Sequence, residues 1–293
     1  MREARPIFKR ESLLYEREEK EGYFTVLSKV HPETRELIIN HTAREILEFC
    51  DGKKMLEEIE THFANKYNNV PEERIKFDIF KTLSSFTRLG IVEWEGENSF
   101  LYKKEEPLSD GYSFSIGQEG DLRNIEIFIK SIEDQSKPQE GTVFYKNPLI
   151  MIGEYSQLVL RQKLFAFSEE FFLLIKESRI NGLFSFSLPS HPKEFNTILR
   201  LAICPEEFLD DLFKYSRDYL PYLAVRDISK SELYESNLEP INESLKKFVL
   251  RVGFVKEAEL KDELGFGKNL VIYSLGYSQD FIDKAKGQRS KFV

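Results

Sequence analysis

The chain has 293 residues, 41% of them apolar, with 25 Phe and 13 Tyr, and a formal net charge of −8. That length exceeds one ordinary domain, and that apolar share excludes disorder along the whole chain. The acidic balance holds throughout, with 18 basic against 20 acidic side chains in residues 1–104 and 24 against 30 in the remainder. Neither part therefore carries the positive footprint that phosphate binding requires.

No apolar run approaches the roughly 20 residues that span a bilayer, and residues 1–6 lead into charged sequence instead of an apolar signal segment. Cys50 and Cys204 are the only cysteines, too few for a disulfide framework, so a cytoplasmic setting is expected. His31, His41 and His62 lack metal-ligand spacing, and no metal is expected.

Residues 13–17 and 23–30 read as strands joined by a polar stretch in which Gly22 can supply the turn. A second turn over residues 31–34 leads into a short strand at 35–40. Thr42 is the expected cap of a helix over 43–50, with Glu45 in its first turn and Ile46, Leu47, Phe49 and Cys50 on its buried face. Asp51-Gly52 breaks that helix. Met55, Leu56, Ile59 and Phe63 then define a second helix to Tyr67. Ile75, Ile79, Leu83 and Phe86 define a third after Pro71, and residues 91–94 return as a strand. Cys50 reads as a buried helix residue.

The segments Leu37-Ile-Ile-Asn40, Cys50-Asp-Gly52 and Leu89-Gly-Ile-Val92, with the interval to Ile59, resemble the PqqD-like family of peptide-recognition elements. The likeness covers about residues 6–95. It implies a winged-helix-like α+β domain over 1–96 that takes a leader peptide as an added strand beside its third strand, in a groove shared with its third helix. Carried onto this chain, those places are Arg35, Glu36, Leu37, Ile38 and Ile39 on the strand. The helix runs over about 72–88, where Arg74, Lys76, Lys81 and Arg88 can meet acidic groups of a peptide, Arg74, Lys81 and Arg88 being spaced by seven residues along one face; a solvated helix face is the alternative for each. The physical basis is the unpaired backbone of a sheet edge.

Residues 97–110 are polar and read as a linker to a second domain over 111–279, followed by a tail over 280–293 with a modest basic content. Expected elements are a strand at 112–116, helices at 120–130 and 156–167, a buried strand at 171–175, a turn over 176–182 and a strand at 183–188. Strands at 197–204 and 222–228 flank a helix from Pro205 to Tyr219; a helix at 242–252 and terminal strands at 257–260 and 270–275 complete the domain. This order, together with Asn242, Leu245, Phe248, Gly253 and Phe254 at their relative spacing, resembles the GNAT acyltransferase superfamily. The resemblance implies a GNAT-like α/β domain with a mixed, mostly antiparallel sheet. It also implies acetyl-CoA or another acyl-CoA held around Ile203, Cys204, Glu206, Glu207, Phe208 and Asn242.

Two places depart from that pattern. Where the family carries a glycine-rich pyrophosphate loop, this chain has Pro205-Glu-Glu207, without a glycine and with like charge at the expected anion. Where a tyrosine often protonates the leaving thiolate, this chain has Val249; Tyr222, Tyr234 and Tyr273 are the alternatives. Glu169, Glu170, His191 and Glu194 are candidate bases for amine activation, with a surface role as the alternative for each, and Cys204 has no visible activating partner.

Two readings follow. In one, the front holds a leader peptide and the back modifies a ribosomally made peptide, the chemistry being acyl transfer from acyl-CoA to a peptide amine. In the other, the chain is a non-catalytic peptide-binding chaperone or scaffold with a degenerate GNAT-like domain. Partners are a precursor peptide and other peptide-modifying enzymes, with no membrane. A winged-helix nucleic-acid binder is a third reading, opposed by the acidic balance.

Overall fold

The computed structural model describes residues 4–30, 36–96, 105–133, 141–151, 153–189, 193–224, 228–238 and 240–278. They form two compact units, 4–96 and 105–278. His31, Arg35, His191, the expected turn at 31–34, most of the linker and the tail at 280–293 lie outside the described residues.

The first unit begins with β1 (Arg5–Phe8), β2 (Leu13–Glu18), β3 (Phe24–Ser28) and β4 (Leu37–Ile39). Three helices follow: α1 (His41–Phe49), α2 (Leu56–Lys66) and α3 (Glu72–Arg88); β5 (Val92–Glu95) closes the unit. β2, β3 and β4 form one antiparallel sheet, and β1 pairs with β5 in a second. β1 is an addition to the elements expected from sequence. Its four residues are too short for a period to show, yet it gives the returning strand its partner. Ile46, Leu47, Ile59, Phe63, Ile79, Leu83 and Phe86 are buried, as the helical spacing predicts.

The cap of α1 is Asn40 instead of Thr42: the Asn40 side-chain oxygen accepts a hydrogen bond from the Ala43 amide at 2.8 Å. Asn and Thr are both good caps, and the strand ends with its apolar run at Ile39, one residue before the expected end at Asn40, which frees Asn40 to cap the helix. Asp51-Gly52 has a packing reason. Gly52 sits at φ +74°, and a Cβ there would meet Ile7 Cγ1 at 3.0 Å, while the Asp51 carboxylate accepts from the amides of Lys53 and Lys54.

The second unit runs β6 (Glu106–Pro107), β7 (Tyr112–Ile116), α4 (Leu122–Glu133), β8 (Thr142–Lys146), α5 (Gln157–Phe165), β9 (Glu169–Lys176) and β10 (Arg179–Ser187). It continues with β11 (Asn196–Pro205), α6 (Leu209–Leu223), β12 (Lys230–Ser236), α7 (Glu243–Arg251), β13 (Val255–Leu260) and β14 (Leu270–Gly276). These strands make a mixed, mostly antiparallel sheet in the order β13-β14-β12-β11-β10-β9-β7-β6, with β8 also on β11; the β11–β12 pair is parallel.

β9 and β10 are buried on both faces. Phe172, Leu174, Phe184 and Phe186 join Phe213 and Tyr215 of α6 and Phe248 of α7 in one core; Phe171, Leu173 and Leu183 join Ile125 of α4 and Leu160 and Leu164 of α5 in the other. The two alternating sets are what a strand with period-two side chains requires when helices cover both faces.

Three expectations are corrected. The strand expected from 222 does not start there: Tyr222 and Leu223 lie in α6, which runs on through Pro221, residues 225–227 lie outside the described residues, and the strand is β12 at Lys230–Ser236. Its Lys-Ser-Glu-Leu-Tyr-Glu-Ser sequence buries Glu232, Glu235 and two serines, so its polarity hides it. The β9–β10 turn is only Glu177-Ser178, both at positive φ, and Gly182 lies inside β10 at a register shift where a Cβ would meet Leu174 Cβ at 3.1 Å. Within the expected linker, Glu106–Pro107 pairs with β7.

Candidate functional site

In the first unit, β4 is a terminal strand of its three-stranded sheet. Leu37, Ile38 and Ile39 face Val26, Thr25 and Phe24 of β3, and no strand pairs with the far edge of β4 among the described residues. Ile39 is buried, while Ile38 is 67% exposed. Glu36 is exposed and takes a hydrogen bond from the Tyr15 hydroxyl. An edge with one side chain seated in the core and its neighbour in solvent can accept another extended chain through its backbone.

Arg74, Lys81 and Arg88 lie on α3, all half-buried. Arg74 pairs with Asp78 at 3.2 Å and Lys76 with Glu72 at 2.7 Å, so these two cations are partly neutralised along their own helix. Sequence reasoning missed Arg44, which no period or motif marks. Its guanidinium contacts Glu16 and Glu48 and lies over the rings of Phe8 and Phe24, joining α1 to three strands. Cys50 is buried, its thiol donates to the Ile46 carbonyl at 3.2 Å, and burial pushes its pKa up to about 12. It is a core residue, not a nucleophile.

In the second unit the site expected from sequence lies along β11. β12 pairs with β11 only over Asn196–Ile198, and then the two strands part. The divergence coincides with a bulge: Leu201 pairs with Ser185 and Leu199 with Phe186, leaving Arg200 as the extra residue. Past the bulge the edge of β11 turned toward β12 is not open. β8 pairs with it over five residues, Lys146 with Leu201 through Thr142 with Pro205.

The side chains of β8 complete the seal. Val143 and Tyr145 are buried in the core, Tyr145 at 3% exposure. The Tyr145 hydroxyl donates to the Tyr234 carbonyl at 2.8 Å and accepts from the Tyr234 amide at 3.2 Å, bridging to β12. Asn147 follows, with its amide on the Arg200 carbonyl at 2.9 Å and its side chain on the Leu199 carbonyl at 3.2 Å.

The residues expected around a cofactor fall as follows. Ile203 and Cys204 are fully buried, paired through their backbones with Phe144 and Val143, and the Cys204 thiol is shifted upward by burial. Glu206 and Glu207 are exposed and Phe208 half-buried in the turn before α6. The Glu206 amide donates to the Gly141 carbonyl at 2.9 Å. Asn242 caps α7 by accepting from the Leu245 amide at 2.8 Å, and Leu245, Phe248 and Phe254 are core. Gly253 at φ +98° ends the helix. The motif of Asn242 to Phe254 thus serves a cap, a core and a stop.

An acyl-CoA needs free backbone donors beside its thiol arm and an amide-rich helix start for its pyrophosphate. Here Pro205 has no N–H, the Glu206 N–H is already used, and Glu206, Glu207, Asp210 and Asp211 put four carboxylates at the start of α6. These residues do not fit the group.

The candidate acids and bases are also committed. Glu169 is buried and accepts from the Tyr155 hydroxyl at 2.8 Å and from Lys163. Glu170 is buried and Glu194 exposed. Tyr234 donates to Glu232 and Tyr273 to Glu235, both at 2.8 Å; burial raises both phenols, Tyr273 to about 12. Val249 is buried in the core. Among the described residues there is no cluster of metal-ligating side chains, and no helix is long and apolar enough to cross a membrane.

No protein-family model and no curated protein matches the chain. Solved structures similar to it in chain path include mutant forms of a spermidine/spermine N-acetyltransferase from Vibrio cholerae, with 15% identity, covering 60% of this chain and 99% of that one at a TM-score of 0.42. A ribosomal-protein-S5-alanine acetyltransferase from Vibrio fischeri shows 14% identity, 60% and 97% coverage and a TM-score of 0.40. A Streptococcus mutans protein shows 17% identity, 56% and 98% coverage and a TM-score of 0.41.

Proposed function

We propose that this chain recognises an extended peptide, a leader segment of a ribosomally made precursor, by taking it as an added strand on β4. The precursor is thereby held for modification by partner enzymes. The observation that supports this reading is the far edge of β4, which has no strand partner among the described residues and where Ile38 stands 67% exposed beside the buried Ile39. Backbone pairing supplies affinity in such docking, and the exposed side chains of the edge select what lies against them. Arg74, Lys81 and Arg88, on the helix that the PqqD-like resemblance assigns to the groove, make acidic residues in the peptide a favourable match. The net charge of −8 weighs against nucleic acid as the partner.

The test is calorimetric titration with the leader peptide of a precursor encoded near this protein. The wild-type chain is expected to bind saturably. Ile38→Lys, which sets a charge on the docking edge without touching the core, should weaken binding at least about tenfold, equivalent to roughly 1.4 kcal/mol. Equal binding by the variant, or no binding of any neighbouring leader by the wild type, removes β4 as the recognition edge.

A further inference from the structure

We infer that the second unit takes no acyl-CoA and performs no acyl transfer from it, because strand β8 of the same chain is built into the place the cofactor would need. The inference rests on the GNAT resemblance of this unit and is independent of the peptide reading of the first.

The gap between β11 and β12 is the natural entry for a ligand into this sheet. Parallel strands that part beyond a bulge leave one edge of backbone groups without a neighbour, and a buried edge must be satisfied. A CoA thiol arm is one solution, since it is extended and carries amides. This chain uses another. β8, between α4 and α5 in chain order, pairs over Thr142–Lys146 with Leu201–Pro205, on the edge of β11 opposite β10. Tyr145 then crosses to the β12 backbone.

The segment after β8 is pinned as firmly as the strand. Glu154 accepts from the Met151 amide and from Lys163 of α5, and it also takes a contact from Arg200 at the bulge. Lys163 in turn holds the buried Glu169. All four of these charged side chains are half-buried or buried. Moving β8 outward would expose Val143 and Tyr145 and leave the β11 backbone unpaired in the core. β8 is therefore a structural strand of the sheet and not a cover over a site.

The pyrophosphate end reaches the same conclusion from different atoms. The amide of Glu206 is spent on Gly141, Pro205 offers none, and Glu206, Glu207, Asp210 and Asp211 put four carboxylates in the turns at this helix start. Among the described residues, Asp210 alone of the four is offset by a cation, through its pair with Arg251. A site that kept the cofactor would reverse both the hydrogen bonding and the sign of charge at this helix start.

The test is titration of the full chain with acetyl-CoA and with a longer acyl-CoA, up to about 1 mM, the weak end of specific binding. Amide hydrogen exchange across residues 141–147 and 199–206 is followed in the same samples. The expected result is no saturable heat with either thioester and unchanged protection of β8 and β11. A second arm replaces residues 142–146 by alternating Gly and Ser. It should lower thermal stability, or prevent folding, without creating acyl-CoA binding.

Saturable binding of either thioester by the wild type, with loss of protection in β8, overturns the inference. The leader-peptide titration runs beside this one and separates the two readings. A chain that binds neither ligand defeats the peptide reading and leaves this one standing. A chain that binds acyl-CoA defeats this one whatever the peptide does.

Discussion

Gly52 is the residue at which a two-letter break in the sequence becomes a three-dimensional demand. Its φ of +74° excludes an unstrained side chain, and Ile7 of β1 occupies the space a methyl would enter. Gly52→Ala should therefore lose about 1–2 kcal/mol of stability in urea unfolding, from strain and crowding together.

Glu60 poses the opposite problem. It is 7% exposed on α2, and burial, with Glu57, Glu72 and Glu73 nearby, raises its carboxyl to about 7 against the partial relief of Lys76. A raised carboxylate pKa means the folded state binds the proton more tightly than the unfolded chain. The associated stability is complete below the unfolded value of 4.5 and is lost as pH rises through about 7. Glu60→Gln should raise stability at pH 8.5 by on the order of 1 kcal/mol after solvent screening, and leave it nearly unchanged at pH 4. Thermal melts at the two pH values measure this difference.

At the scale of elements, legibility followed periodicity. The helices show in Ile46, Ile59, Ile75, Ile79 and Leu83, and β9 in its unbroken apolar run, because each buries a face at a regular interval. β12 did not show, since its inward residues include Glu232, Glu235 and Ser231, which are satisfied by Asn196, Tyr273 and Thr197 instead of by apolar neighbours. β1 was too short to read. β8 is hidden in the sequence although Thr-Val-Phe-Tyr has strand composition, because its partner lies more than fifty residues away and no local turn announces the pair. The candidate site was legible in kind through Pro205-Glu-Glu207, but the reason for that departure lay in β8.

The β9–β10 turn gives this scale its own prediction. Glu177 and Ser178 adopt φ of 48° and 65°, a conformation that Asn-Gly holds at much less cost. Replacing the pair by Asn-Gly should stabilise the second unit by about 0.5–1 kcal/mol, read as a higher midpoint in denaturant.

For the whole molecule, the pairing of β8, which lies between α4 and α5 in the chain, with the later strand β11 has a consequence for assembly. β11 has three strand partners, and the one that completes it precedes it by more than fifty residues in the chain. During synthesis β8 must wait until β9, β10 and β11 have all appeared. Until then Val143, Phe144 and Tyr145 form an apolar strand with both edges bare. Such a delayed, long-range closure slows folding and opens a route to intermolecular pairing. Refolding from denaturant at rising protein concentration should accordingly show a falling yield of soluble chain, as β8 of one molecule competes for β11 of another.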